Sequence, residues 1–183
     1  ISGNKWRKLK YNLIKEEKNG FQTLLTFGGA FSNHIAAVAA AGKALDFDTI
    51  GIIRGEELRP DSNPTLQFAA KCGMKLHFVG RTAYRDKETL AHFYGRDAFV
   101  IPEGGSNQLA VQGVAEMVEE VKNQLGGKID YFCTALGTGG TAAGILSAFE
   151  NEVLVFPSLK ISLEEAAQLI LTHIPQSTGR LKV

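Results

Sequence analysis

Cysteine is scarce in this chain: Cys72 and Cys133 are the only two in 183 residues, and no CxxC pair exists. That excludes a disulfide framework and a cysteine-built zinc site, and it fits a reducing, cytoplasmic setting. Histidine is thin as well. His34, His77, His92 and His173 show no HxxxH spacing, so no metal centre is expected. Long apolar runs are missing, which argues against a helical membrane span. The first residues lack an apolar h-region, so no signal peptide is expected. An excess of charge is also absent: Lys plus Arg number 20 against 19 for Asp plus Glu. A chain so balanced is not built to condense on nucleic acid or an anionic membrane.

What is present is an ordinary globular composition, 44% hydrophobic and 21% charged, with residues enough for one domain or two small ones. Apolar runs bounded by Gly, Pro or charge read as buried strands at 23–27, 49–53, 76–79, 98–101, 131–136 and 153–156. Helices fall between them. Ser32 is expected to cap one over 33–45, and Asp61 or Ser62 one through 65–72. Ser106 or Asn107 should cap one over 109–125, and Thr138 or the glycines after it should begin one over 142–149. Ser162 opens the last, with Glu164 and Glu165 where the helix dipole favours acid. Only 55–64 and 102–108 read as loops. This alternation implies an α/β fold of parallel sheets, with strands apolar on both faces. In such sheets ligands sit beyond the carboxyl ends of the strands.

Three strand-to-helix turns therefore matter. In TFGGAFSNH (26–34), free N–H groups at the helix start can hold a carboxylate, with Ser32 and Asn33 beside them. The plain alternative is that Ser32 serves only as the N-cap. In ALGTGGTAAG (135–144), Gly137, Gly139 and Gly140 expose backbone N–H groups, while Thr138 and Thr141 add hydroxyls. That is a phosphate cradle. It is not a Walker A loop, because no Gly-Lys-Ser/Thr ends it. It does match GxGxxA through Gly137, Gly139 and Ala142. A dinucleotide would need an acid after the next strand, where Phe156, Pro157 and Ser158 stand instead, so a monophosphate fits better. The third turn, IPEGGSNQLAVQG (101–113), reads as a loop near the site.

The opening stretch ISGNKWRKLKYNL packs Lys5, Arg7, Lys8 and Lys10 into six positions. A monophosphate, a carboxylate and a lysine together are what pyridoxal phosphate chemistry uses. Lys5 follows Ser2-Gly3-Asn4, a helix start that Trp6 and Leu9 can anchor, and Lys8 lies one turn on. Arg7 and Lys10 are expected to be solvated.

SGNKWRKL resembles the GNKxRKL segment of the 1-aminocyclopropane-1-carboxylate deaminase and D-cysteine desulfhydrase family. These are fold-type II pyridoxal phosphate enzymes, related to the tryptophan synthase β-subunit. GGAFSNHIAAVAAAG, IPEGGSNQLAVQG and ALGTGGTAAG resemble further blocks of that family, in its order, as far as Phe149. The resemblance implies that Lys5 is the Schiff-base lysine. Lys8 with Gly137, Thr138, Gly139, Gly140 and Thr141 would hold the phosphate, and Asn33 the pyridoxal phenolic oxygen. Ser32 would act next to the substrate, in proton transfer or positioning, and the N–H groups of Ser32, Asn33 and His34 would take its carboxylate.

The resemblance further implies two interleaved open parallel-sheet lobes: a smaller one over 8–103, and a larger one from 1–7 and 104–183, with the site between them. It also implies a homodimer and a reaction giving a 2-oxo acid and ammonia, with sulfide when cysteine is the substrate. Two departures stand out. Phe31 replaces the Gln before the serine, and the match fades after Phe149, so 151–183 offers no partner for the pyridine nitrogen. Family members are longer, and the chain opens on Ile1 with a motif at once. It therefore reads as incomplete at both ends, with turnover expected to be impaired. Two other readings stay open: a fold-type II lyase acting on L-serine, L-threonine or O-acetylserine, and a non-catalytic α/β module that binds a phosphorylated metabolite.

Overall fold

Parallel pairing organises the strands. β1 (Thr23–Gly29), β2 (Asp48–Arg54), β3 (Lys75–Val79) and β4 (Phe99–Ile101) form one sheet in the order β3-β2-β1-β4. β5 (Tyr131–Leu136), β6 (Glu152–Pro157) and β7 (Leu181–Lys182) form another in the order β5-β6-β7. The computed structural model describes residues 3–158, 160–174 and 181–183. Ser2, expected at a helix start, lies outside them. The chain divides into two compact units, Ile1–Trp6 with Leu13–Gly104 and Arg7–Asn12 with Gly105–Val183. Residues 1–6, expected with the C-terminal part, group with the first unit. No helix among the described residues is long and apolar enough to cross a membrane.

In the first unit, the five central residues of both β1 and β2 are buried, as strands covered on two faces require. Leu25, Phe27, Ile50 and Ile52 build its core with Val79, Tyr84 and Leu90. Ser32 caps α2 (Asn33–Leu45), its hydroxyl oxygen accepting from the Ile35 N–H at 3.2 Å. The cap of α3 (Pro64–Lys71) differs from expectation. Asn63 fills it, accepting from the Leu66 N–H at 3.0 Å, and Pro64 takes the first helical position, where no N–H is needed. Ser62 instead closes the preceding turn by accepting from the Arg59 N–H. Helix α4 (Lys87–Tyr94), capped by Asp86, was not expected, because its single buried residue, Leu90, leaves little periodicity to read.

In the second unit, α5 (Gln108–Leu125) lays Val111, Val114 and Val118 against Leu136, Ile145, Leu146 and Val153. Asn107 caps it, accepting from the Ala110 N–H at 2.9 Å, which leaves Ser106 for other work. Helix α6 (Gly140–Ala148) packs closely on α5: a Cβ at Gly144 would stand 2.4 Å from the Val114 Cβ. Helix α7 (Leu163–Leu171) starts with a Ser162–Glu165 capping box. Strand β5 departs from the expected two-faced burial, since Tyr131, Cys133 and Ala135 are exposed in alternation.

Helix α1 (Asn4–Asn19) contributes residues to both units. Within the second, its backbone lies directly on α5: a Cβ at Gly113 would come within 2.0 Å of the Arg7 carbonyl oxygen. The expectation that Arg7 and Lys10 are simply solvated fails here. Arg7 forks onto the Glu120 carboxylate with both bonds at 2.5 Å. Lys10 reaches Glu116 at 2.6 Å, and the Tyr11 hydroxyl donates to the same carboxylate. Partly exposed pairs of this kind contribute little, because water screens them. Burying one Val or Leu is worth about 1.5–3 kcal/mol, so the valine stripe holds the unit together and the ion pairs set how α1 lies on it.

Two outcomes follow from this contact. Gly113→Ala, which forces backbone apart, should cost about 1–3 kcal/mol in chemical denaturation. The Glu116 carboxyl is held below its usual range, first by the Lys10 hydrogen bond and then by Tyr11. A depressed folded-state value adds stability above the unfolded value of about 4.3, and that stability is lost as pH falls through the folded value. Melting temperature should therefore fall more steeply on acidification in the wild type than in Glu116→Gln; parallel acid limbs would refute this.

Candidate active site

The first expected site begins where β1 ends. Past Gly29 the chain turns, with the Ser32 N–H donating to the Gly29 carbonyl at 3.1 Å, and α2 starts. Gly28 is required by close approach, because a Cβ there would lie 2.5 Å from Ile35 Cγ1 and 2.7 Å from Ser32 Oγ. Asn33 is exposed, whereas His34 is buried at 2%. His34 Nε2 lies 2.8 Å from Thr26 Oγ1, and that hydroxyl donates its one hydrogen to the Ile101 carbonyl at 2.8 Å. Nε2 must then carry the proton and be the donor. The His34 side chain thus ties α2 to the sheet, and only its backbone N–H stays at the helix start. An anion on this turn meets the positive end of the α2 dipole.

Lys5 and Asn33 are brought together. They share the wall of a cavity of about 520 Å³ with Gly3, Asn4, Ala36 and Phe68. Burial holds the Lys5 amine below its ordinary range, because leaving water disfavours the ammonium. A lysine that is to attack a carbonyl needs that neutral form. Phe68 was missed by sequence reasoning: an aromatic in a helix looks like core, and here it is exposed at 47%.

The residues expected to cradle a phosphate lie within the second unit. Lys8 is 1% exposed, and its ammonium donates to Ser106 Oγ at 2.7 Å. Ser106 Oγ is in turn 2.5 Å from Thr138 Oγ1. Helix α6 begins here without a side-chain cap, from Gly139 in the left-handed region at φ 81. Glycine is required at that position twice over, since a Cβ would also lie 2.4 Å from the Leu169 carbonyl oxygen. A Cβ at Gly140 would fill the cradle, 2.6 Å from Ser106 Oγ and 3.1 Å from Lys8 Nζ. The arrangement gathers one buried cation, two hydroxyls and a helix N-terminus, the donor set that a phosphate monoester takes.

Asn12 steadies it, donating to the Lys8 carbonyl and accepting from the Asn107 amide at 2.7 Å. Thr141 follows Gly140 in the first turn of α6, and Gly137 precedes it with open space where a Cβ would be. Ser106 was read only as a cap candidate. The signal was there, since Ser106-Asn107 offers two caps to a helix that uses one. His173, from a stretch read as chemically silent, braces the loop with Nε2 at 3.2 Å from the Thr138 carbonyl oxygen. Gly140→Ala should weaken binding of inorganic phosphate, measured by calorimetry, by at least tenfold, with the helix intact by circular dichroism.

A family model described as "Pyridoxal-phosphate dependent enzyme" matches residues 1–179. A bifunctional D-cysteine desulfhydrase/1-aminocyclopropane-1-carboxylate deaminase of Arabidopsis thaliana is 32% identical over 163 residues, covering 79% of this chain and 41% of that protein. A putative 1-aminocyclopropane-1-carboxylate deaminase of Thermotoga maritima is 34% identical over 152 residues, covering 79% and 48%. Among solved structures, an ACC deaminase homologue superposes with a TM-score of 0.72 at 26% identity, over 92% of this chain and 56% of the other. The chain spans about half the length of the curated relatives it matches.

Proposed function

We propose, since the chain belongs to the family of pyridoxal-phosphate dependent enzymes, that it serves a deaminase or lyase of the 1-aminocyclopropane-1-carboxylate deaminase or D-cysteine desulfhydrase type. Such an enzyme gives a 2-oxo acid and ammonia, with sulfide when cysteine is the substrate. The reading is carried by Lys5, whose amine is biased toward its neutral form by burial in a cavity it shares with Asn33.

The residues present fit the cofactor. Lys8 is a buried cation at an uncapped helix start, beside a glycine whose Cβ would fill the space. Lys8 and the loop 137–141 would take the phosphate, Lys5 the aldehyde and Asn33 the phenolic oxygen. When bound, pyridoxal phosphate supplies an electron sink that lets a bond at the amino-acid carbons break. The chain's own groups do the rest. The N–H groups at 32–34 hold and orient the substrate carboxylate along the α2 dipole. Ser32 Oγ already accepts the Ile35 N–H, so its own hydrogen is available to the substrate. A small amino-acid substrate, a cytoplasmic setting and a homodimer complete the proposal.

Purified protein mixed with pyridoxal phosphate should develop a visible or near-ultraviolet band that borohydride abolishes and Lys5→Ala lacks. Any release of a 2-oxo acid from D-cysteine or 1-aminocyclopropane-1-carboxylate should be slow, and Lys5→Ala should fall to background. The same band in Lys5→Ala as in the wild type would remove Lys5 from its role.

A further inference from the structure

A second, larger cavity opens beside Ser32, and every residue lining it belongs to the first unit. It measures about 870 Å³, more room than a three-carbon amino acid fills. Its position follows from the sheet. In register, Gly29, Arg54 and Val79 end β1, β2 and β3 side by side. Arg81 follows β3, and Arg85 and Lys87 come from the short helical turn Ala83–Arg85 and the start of α4. Parallel topology thus carries these cations to the strand ends where the Ser32 turn also lies.

The cavity is a polar one with an excess of positive charge. Arg54, Arg81, Arg85 and Lys87 line it, against the carboxylates Glu57 and Glu103. Lys87 is engaged with Glu103 at 3.1 Å and sits over the Tyr84 ring at 4.7 Å. That leaves three arginines facing one further lining carboxylate. The Arg54 guanidinium reaches back toward the Ser32 turn: a Cβ at Gly29 would stand 3.7 Å from its Nη2. Arginine presents a planar fork of donors suited to carboxylate, phosphate or sulfonate.

A separate observation points the same way. Tyr84 lines the cavity while 3% exposed, and its buried hydroxyl has no hydrogen-bond partner among the described residues. Burial pushes the phenol well above its usual range, and the Glu103 carboxylate, close by but outside ordinary hydrogen-bond geometry, pushes it further. The hydroxyl therefore keeps its hydrogen and can donate it into the cavity, where Glu103 stands close by without a well-formed bond. Phe31, exposed at 74%, gives the wall between the Ser32 turn and the arginines an apolar surface.

We propose that this cavity receives a second anionic group, carried on the side chain of an amino-acid substrate whose α-carboxylate rests on the Ser32 turn. The proposal depends on the preceding reading for the α-carboxylate only. The substrate class then extends to an amino acid with a side-chain carboxylate, phosphate or sulfonate, beside the small neutral ones.

The test is calorimetric binding to the pyridoxal-phosphate-loaded protein, using both stereoisomers of aspartate, O-phosphoserine and alanine. One anionic amino acid should bind at least tenfold more tightly than alanine, and the better of aspartate and O-phosphoserine identifies the group. In the Arg54→Gln/Arg81→Gln double variant that preference should collapse to within threefold, with the cofactor absorbance band unchanged as proof of folding. Arg54→Lys should retain only part of it. Equal affinity for alanine and the anionic amino acids in the wild type, with the cofactor band present, overturns the proposal while sparing the cofactor reading. If the band itself is missing, O-phosphoserine binding that is unchanged by the double variant overturns it as well.

Discussion

The ammonium of Lys8 is a charge taken out of water, and the site-forming half of the second unit is arranged around it. A buried cation costs several kcal/mol unless polar groups surround it. Ser106 and Thr138 supply hydroxyl oxygens, whereas the uncapped start of α6 adds only N–H groups and calls for an anion between them. That requirement explains otherwise unrelated features. Ser106 gives up the cap of α5 to Asn107. Gly140 lacks a side chain because Ser106 and Lys8 occupy the space. Asn12, fully buried, spends its amide on the Lys8 carbonyl and so fixes the turn of α1 that presents the lysine.

Both units solve the same problem with the same local device. A parallel strand ends, glycine lets the backbone turn closely, and a helix starts with its N–H groups pointing back. The device is local in sequence, which is why it was legible. The fold class, the six main strands and the caps at Ser32 and Ser162 can be read from short windows. So can the cradle of glycines and threonines at 137–141. The candidate lysine was legible by a different route, through its resemblance to a family segment, since composition alone makes any lysine a surface group.

What escaped the sequence depends on partners distant along the chain. Arg7 and Lys10 look solvated until α5 brings Glu120 and Glu116 to them, more than a hundred residues away. The inward turn of the His34 side chain depends on Thr26, whose hydroxyl is itself fixed by the Ile101 carbonyl. The cap at Asn63 was a different failure, a local ambiguity among Asp61, Ser62 and Asn63 that Pro64 decides, because proline favours the first helical position. The arginine cavity is the extreme case. Arg54 ends β2 while Arg81 and Arg85 follow β3, with no motif joining the two segments, and strand register sets them side by side.

The two groups of cations differ in a way that matches what each would hold. Lys8 is desolvated, so its environment is comfortable only while an anion stays, which suits a group bound through many turnovers. Arg54, Arg81 and Arg85 are exposed, and water can replace a departing ligand at little cost. That suits a substrate that must bind and leave in every cycle. Lys5 falls between these extremes. It is buried enough to lose its proton more readily than a surface lysine, yet it lines an open cavity where a carbonyl can reach it. On the proposed reading, degree of burial, more than residue type, would separate a permanent anion holder, a transient one and a nucleophile among side chains of the same charge.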